Sequence, residues 1–350
     1  MSRGMISGAR RPSWFFAFLI FGSVRSLSPS AATGQRIHAL YAGYPQRYDE
    51  YHQALQEAFK EMHLDVCLTD DLSESPESID YIIYSPNGPL KDFSPFCNAK
   101  VVMSLRAGLE GVATNPTLPR TVPLTRMVDP SLREGMVEYV VGNVMRYHLN
   151  MDLLWRSKNA GEWMQSESMP LARQCAVGIL GLGELGGSCA DALVQLGFQV
   201  YGWSRSPRDH EGVLCYHGPT GLGQVLQESD ILVLLLPNTP ETHDIINRDT
   251  LAQCKPGIRI INSGRGSAID EDALLEALDN GTVAGATLDV FKTEPLPKDH
   301  GFWKQPNVLI TPHIAAKTRA HSACKVIAEN IRRAEAGEPL LYVADRDTGY

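Results

Sequence analysis

The sequence predicts an α/β protein of two domains, and three observations carry that reading. Short apolar runs recur along the chain, separated by stretches with apolar residues at helical spacing, the order expected of parallel sheets covered by helices. A glycine-rich turn, Gly181-Leu182-Gly183-Glu184-Leu185-Gly186, follows one such run at once and opens a helical stretch. The 350 residues, 43% of them hydrophobic, suffice for two cores.

The run before the glycines, Ala176 to Leu180, suits a strand buried on both faces. Leu185, Cys189, Leu193 and Leu196 then recur at helical spacing, and Gly197 sits where a helix end favours positive φ. A second strand, Phe198 to Trp203, completes a Rossmann-type β-α-β unit. In such a unit Gly181 allows a tight turn, Gly183 lets the backbone approach a pyrophosphate, and Gly186 lets helix and strand pack closely. Glu184 and Leu185 open the helix, whose first N–H groups point at phosphates. The plainer alternative is a glycine-rich turn with no ligand.

The end of the second strand bears on which dinucleotide is bound. Sites for NAD place Asp or Glu there, to hold the ribose 2′-hydroxyl. This chain has Trp203-Ser204-Arg205-Ser206, with Arg208 close by. Arg205 suits a 2′-phosphate in fork geometry, and Ser204 and Ser206 add hydroxyl donors. NADP(H) is favoured over NAD(H), the alternative being that Arg205 is a solvated surface side chain.

Bulk properties narrow the classes. A net charge of −8 leaves no basic footprint for nucleic acid. The seven cysteines are scattered and lack C-x-x-C spacing, which suits free thiols in a reducing compartment, with no disulfide framework and no metal site. Residues 1–34 read as an extension outside the fold. No acid precedes Asp49, while Arg3, Arg10, Arg11 and Arg25 lead into a Ser/Ala-rich exit; without those four arginines the net charge is −12. The apolar run Trp14 to Phe21 is too short to span a bilayer. A secretory signal, an organellar transit peptide and a plain extension all fit, and the thiols and the NADP(H) signal favour an organelle or the cytoplasm.

From Arg36 a first α/β segment has strands expected at Ile37–Tyr41, Leu64–Leu68, Tyr81–Tyr84 and Lys100–Ser104, and a helix carrying Tyr51, Leu55, Ala58, Phe59 and Met62. It has no phosphate loop, which makes it the substrate side. A long amphipathic stretch, Leu132 to Leu154, bridges to the second domain; its stripe of Met136, Tyr139, Val140, Val144 and Tyr147 is either a dimer interface or an intramolecular face. Further strands are expected at Ile231–Leu236, Ile258–Ile261, Gly285–Val290 and Val308–Ile310, each ending in a loop of polar or special residues. Ligands of open parallel sheets bind at such strand ends.

Among those loops His313 is the natural acid–base group, because imidazole titrates nearest neutrality. Glu294 on the adjacent loop would orient it, and Arg265 can grip a carboxylate and polarise a carbonyl. Taken singly, each has a dull reading as a surface arginine, a solvated glutamate or a capping histidine.

In order along the chain, GLGELG at 181–186, NSGRG at 262–266, LDVFKTEPLP at 288–297 and TPHIAA at 311–316 resemble the D-isomer-specific 2-hydroxyacid dehydrogenases. The likeness extends from about residue 36 to 350. It implies a Rossmann-type dinucleotide-binding domain (133–315) plus a flavodoxin-like substrate domain (35–132, completed by 316–350). It implies that Arg265, Glu294 and His313 are catalytic, that Asp289 holds the nicotinamide carboxamide, and that Pro237 and Asn238 run along the cofactor with Ser263 and Ala315 beside it. The substrate carboxylate is expected on the backbone N–H groups of Ala107 and Gly108. WSRS at 203–206, LLPNTPET at 235–242 and the ending DRDTGY are similar to the branch that reduces glyoxylate and hydroxypyruvate with NADPH. The resemblance also implies a homodimer and a small 2-oxo acid substrate. Two other readings are a sibling dehydrogenase with a larger substrate and a dinucleotide-sensing, corepressor-like binding protein. One departure stands out: that branch often has Gly where this chain has Arg106, which either adds a second anionic contact for substrate or points away.

Overall fold

The structure is a computed structural model and describes residues 36–73, 75–109, 111–164 and 170–346. The extension expected over residues 1–34 lies outside them. Two parallel sheets organise the rest. The smaller has the order β2-β1-β3-β4-β5, from β1 (Ile37–Ala42), β2 (Val66–Thr69), β3 (Tyr81–Tyr84), β4 (Val101–Ser104) and β5 (Leu124–Thr125). The larger runs β12-β11-β10-β9-β6-β7-β8. Its strands are β6 (Ala176–Leu180), β7 (Gln199–Ser204), β8 (Val213–His217), β9 (Ile231–Leu234), β10 (Ile258–Asn262), β11 (Val283–Leu288) and β12 (Val308–Ile310). Strand order reverses between β1 and β3 in the first sheet and between β6 and β9 in the second. These are the flavodoxin-like and Rossmann-type orders, and their reversal points open crevices at the carboxyl edge.

Both sheets are buried on two faces, which is why their strands read as continuous apolar runs. In the smaller sheet Tyr41, Ile83 and Met103 face α1 (Tyr48–Glu61) and α8 (Ala320–Glu335), while Leu40, Ile82 and Val102 face Phe93 and Phe96. In the larger, Val177, Ile179 and Val233 pack on α2 (Pro130–His148) and α4 (Glu184–Gln195). Leu180, Leu232 and Leu234 pack on the opposite side, where α5 (Gly218–Glu228), α6 (Arg248–Leu251) and α7 (Glu271–Asp279) lie. A fully buried leucine such as Leu193 contributes about 1.5–3 kcal/mol. The chain after α8 returns to the smaller sheet: Ala344 N–H donates to the Leu124 carbonyl at 2.8 Å.

Three expectations are corrected. The stretch Leu132–Leu154 is two helices, α2 and α3 (Met151–Ala160), separated at Asn150, whose φ of +50° is left-handed. Asparagine tolerates that conformation better than most residues. Arg146 closes the corner by gripping Asp152 with two hydrogen bonds, 2.6 and 2.9 Å. Of the two readings of its stripe the intramolecular one holds, with Met136, Val140, Val144 and Tyr147 all buried in the larger sheet's core. Second, β2 starts at Val66, not Leu64, because Leu64 N–H is spent capping α1 on the Phe59 carbonyl, 2.9 Å. Third, β5 and β8 escaped notice: one is two residues long, and the other is an edge strand with no run of fully buried residues.

All seven cysteines are free, and burial pushes the Cys189, Cys254 and Cys324 thiols up to about 12. Among the described residues no helix is long and apolar enough to cross a membrane.

Candidate active site

The glycine turn after β6 has the geometry its spacing predicts. Gly181 sits at φ +103°, and a Cβ on Gly186 would lie 1.8 Å from the Gly181 carbonyl oxygen, so only glycine lets α4 start this close to the strand end. Gly183 is the residue before α4, with open space where its side chain would be. The turn leaves backbone exposed at a helix N-terminus, as a pyrophosphate requires. β7 ends at Ser204, and Trp203 Nε1 anchors that end on the Gly218 carbonyl at 2.8 Å. Ser204 Oγ then turns back onto the Ser206 carbonyl, 2.8 Å, which leaves Arg205 exposed at the tip. Arg208 reaches back and donates from Nη1 to the Leu182 carbonyl, inside the glycine turn. Two arginines therefore flank the position where an NAD site carries a carboxylate. Arg205 also lies close enough to Glu241 to help keep that carboxyl below its ordinary range, after the larger effects of its own backbone N–H and Thr239.

Three loops of the larger sheet meet at its carboxyl edge. His313 Nδ1 and Glu294 Oε2 are 2.8 Å apart, and Glu294 Oε1 accepts from Phe291 N–H at 3.0 Å. Both side chains stay partly open to solvent, 42% for His313 and 36% for Glu294. Arg265 follows β10, where Asn262 Nδ2 holds the Arg265 carbonyl at 3.0 Å. The next residue, Gly266, presses on the Glu294 loop: a Cβ there would lie 1.9 Å from the Phe291 carbonyl carbon. Arg265 is thus brought to the same edge as the His–Glu pair. Its Nη1 donates to the Gly264 carbonyl at 2.8 Å.

Asp289, just beyond β11, is 1% exposed, and its carboxylate is occupied by the histidine loop. Oδ1 accepts from Thr311 Oγ1 at 2.6 Å and Ile314 N–H at 2.8 Å, and Oδ2 from Ala315 N–H at 2.9 Å. The Asp289 carbonyl accepts His313 N–H at 2.9 Å. The hydrogen bonds Asp289 makes here hold the histidine loop, because a buried carboxylate takes the nearest N–H donors. Ala315 is engaged from the same side, with its N–H on that carboxylate. Asn238 Oδ1 accepts from Ser267 Oγ at 2.9 Å, which ties the loop after β9 to the one after Arg265, and the Pro237 carbonyl accepts Thr242 Oγ1 at 2.6 Å. Ser263 Oγ is buried with no hydrogen-bond partner among the described residues. Open backbone at Gly183, the cradle at Gly186 and the orphaned Ser263 hydroxyl together fit a dinucleotide along this edge.

The loop expected to hold substrate follows β4. The Arg106 carbonyl accepts Met127 N–H at 2.9 Å, and the Leu105 carbonyl accepts Thr318 Oγ1 at 3.0 Å, five residues past His313. Among the described residues the N–H groups of Ala107 and Gly108 meet no protein acceptor. Ala107 lines a cleft of about 90 Å³ together with Arg126, Arg133, Glu184, Leu185 and Tyr342, so the loop after β4 and the N-terminal end of α4 share one crevice.

Comparison with known proteins agrees with this architecture. Residues 141–315 match the profile of the D-isomer specific 2-hydroxyacid dehydrogenase, NAD binding domain. Glyoxylate/hydroxypyruvate reductase A of Serratia proteamaculans is 42% identical over 256 residues, 72% of this chain and 82% of that protein. The chain belongs to the D-isomer-specific 2-hydroxyacid dehydrogenases. Among solved structures, a family member from Xanthobacter autotrophicus Py2 in complex with NADPH and MES superposes with a TM-score of 0.84. It is 38% identical and covers 90% of this chain and all of its own. The NADPH-dependent glyoxylate/hydroxypyruvate reductase of Sinorhizobium meliloti, with NADP and sulfate, gives 0.82 at 36% identity, with the same coverage.

Two groups of this family member escaped sequence reasoning. Tyr139 Oη meets Thr311 Oγ1 at 2.7 Å, extending the Asp289 network to α2. Tyr139 was visible only as one member of an apolar stripe, and nothing in its spacing marks a hydroxyl partner. Tyr44, whose hydroxyl meets both Asn87 and Arg106, lies after β1 outside any motif.

Proposed function

We propose that this chain reduces a small 2-oxo acid, glyoxylate or hydroxypyruvate, to the 2-hydroxy acid with NADPH. The observation that carries the reading is the 2.8 Å His313–Glu294 pair at the edge of the dinucleotide sheet, beside the Arg265 loop. The relatives named for this reaction, and the NADP-bound neighbours, support both substrate class and cofactor. The arginines at the end of β7 favour NADPH over NADH.

Bound nicotinamide supplies the hydride that adds to C2 of the substrate. Arg265 and the N–H groups of Ala107 and Gly108 hold the carboxylate, and Arg265 polarises the carbonyl. His313, protonated and oriented by Glu294, gives its proton to the carbonyl oxygen as the alkoxide forms. Residues 35–132 with 316–350 act as the substrate domain and 133–315 as the dinucleotide domain, and the reaction takes place between them. The functional unit we propose is a homodimer.

Turnover of NADPH and NADH with glyoxylate and hydroxypyruvate tests this directly. We expect faster turnover with NADPH, and a loss of about 10²–10⁴ in kcat/KM for His313→Ala with NADPH binding retained. Wild-type turnover in that variant would remove His313 from the mechanism. Preference for NADH would overturn the role of Arg205 while leaving the family chemistry in place.

A further inference from the structure

In the smaller sheet, strand order reverses between β1 and β3, and ligands of open α/β sheets bind outside the carboxyl ends at such a point. Three loops converge there, Tyr44 after β1, Ser85 to Gly88 after β3 and Arg106 after β4. Arg106 Nη2 donates to Tyr44 Oη, with the guanidinium carbon 5.6 Å from the Tyr44 ring centre. Asn87 Nδ2 donates to the same phenol oxygen at 3.0 Å. Ser85 Oγ, in a residue only 1% exposed, lies near that phenol without meeting hydrogen-bond geometry and has no other partner.

The backbone under this cluster is fixed. Arg106 N–H donates to Ser104 Oγ at 3.0 Å, and that hydroxyl donates to the Arg106 carbonyl at 3.1 Å. A Cβ on Gly88 would lie 2.2 Å from the Ala42 carbonyl oxygen, so the Ser85–Gly88 loop packs directly on the end of β1. The chemistry is one-sided. Burial raises the Tyr44 phenol, but Arg106, Asn87 and Ser85 outweigh it and bring its pKa below the ordinary value. Among the described residues the half-buried Arg106 guanidinium hydrogen-bonds only a phenol, a poorer end state than one that meets a carboxylate. Arg106 also immediately precedes the two N–H groups assigned to the substrate's C1 carboxylate.

We propose that Arg106, supported by Tyr44 and Asn87, forms a subsite for a second anionic group, so that this reductase prefers 2-oxo dicarboxylic acids to uncharged 2-oxo acids of similar length. The inference rests on the reading of the chain as a 2-oxo acid reductase and narrows its substrate class.

Oxaloacetate and 2-oxobutanoate isolate the charge, and glyoxylate reports the core reaction. Wild-type enzyme should favour oxaloacetate over 2-oxobutanoate in kcat/KM by about tenfold or more, the scale of one charge-assisted contact. Arg106→Leu should lower that ratio by about tenfold, mostly through the KM for oxaloacetate, with Tyr44→Phe lowering it by about threefold. Arg106→Lys, which keeps the charge without the fork, should retain part of the preference and carries the test if the leucine variant does not fold. A wild-type ratio near one, or a ratio that Arg106→Leu and Arg106→Lys leave unmoved while all three acids slow together, would overturn the subsite. Absence of wild-type turnover with glyoxylate as well as with the other acids would instead defeat the underlying reductase reading.

Discussion

His313 is a non-glycine residue at φ +54°, a left-handed conformation that costs about 1–3 kcal/mol unless its surroundings enforce it. Asp289 does the enforcing, since its carbonyl takes His313 N–H and its carboxylate takes the next two N–H groups and Thr311 Oγ1. Each such bond to an ionised group is worth about 1.5–3 kcal/mol, enough to offset the strain. We therefore expect Asp289→Ala to lower kcat about 100-fold by letting the imidazole drift, while the Kd for NADPH moves little. Thr311→Val should do the same in milder form, because Tyr139 then loses its partner too. Stopped-flow turnover with parallel fluorescence titration of NADPH separates this from a direct cofactor contact, in which the Kd would rise along with the loss of rate.

At the scale of elements, helix ends decide where side chains land. Asp129 caps α2 by accepting Ser131 N–H at 2.7 Å, and that helix carries Tyr139 to Thr311. The far end of α8 is held by charge. Glu329 accepts from Arg332 and Arg333 at 2.7–2.9 Å, and these bonds push its carboxyl down from 4.5 to about 2. The folded-state pKa lies below the unfolded one, so the stability Glu329 supplies is complete above about pH 4.5 and is lost as pH falls through about 2. Glu329→Gln should cost about 0.5–1 kcal/mol at neutral pH and nothing once the wild-type carboxyl is protonated. Urea unfolding followed by circular dichroism at several pH values checks the sign; a cost that persists below pH 2 would show that packing, not charge, holds the helix end.

At the scale of the whole molecule, α3 presents an exposed apolar surface among the described residues. α3 buries none of its residues and exposes Met151, Leu153, Leu154 and Trp155, the last at 65%. Such a patch on a helix flanking the dinucleotide domain is where the proposed homodimer would join. Leu153→Glu with Trp155→Glu should lower the mass seen by sedimentation velocity from dimer to monomer at micromolar concentration, and leave the unfolding midpoint of each subunit's core nearly unchanged. A wild-type chain that sediments as a monomer would refute the dimer, and a variant that stays dimeric would place the interface elsewhere.

Much of this was legible in one chain because it is local. The glycine turn, the apolar strands and the motif order of Arg265, Glu294 and His313 are set by backbone sterics, two-sided burial and residue chemistry, all of which act over a few neighbours. Arg205 and Arg208 were likewise readable, since they sit where the second strand of the unit must end. The break at Asn150 was not, because the stripe on either side keeps helical spacing and only the left-handed asparagine and the Arg146–Asp152 clasp turn the chain. Asp289 was noticed, but its hold on the histidine loop was not. Its motif marked a residue near the nicotinamide, while the donors that claim its carboxylate come from a loop 22 to 26 residues further on. The meeting of Tyr44, Asn87 and Arg106 is more distant still. Those residues lie up to 62 positions apart, and only the parallel register of β1, β3 and β4 brings their loops to one edge. Local sterics and patterning determined the fold class and the residue types proposed for catalysis; long-range strand order decided which side chains share a site, because a contact between loops depends on the sheet that carries them.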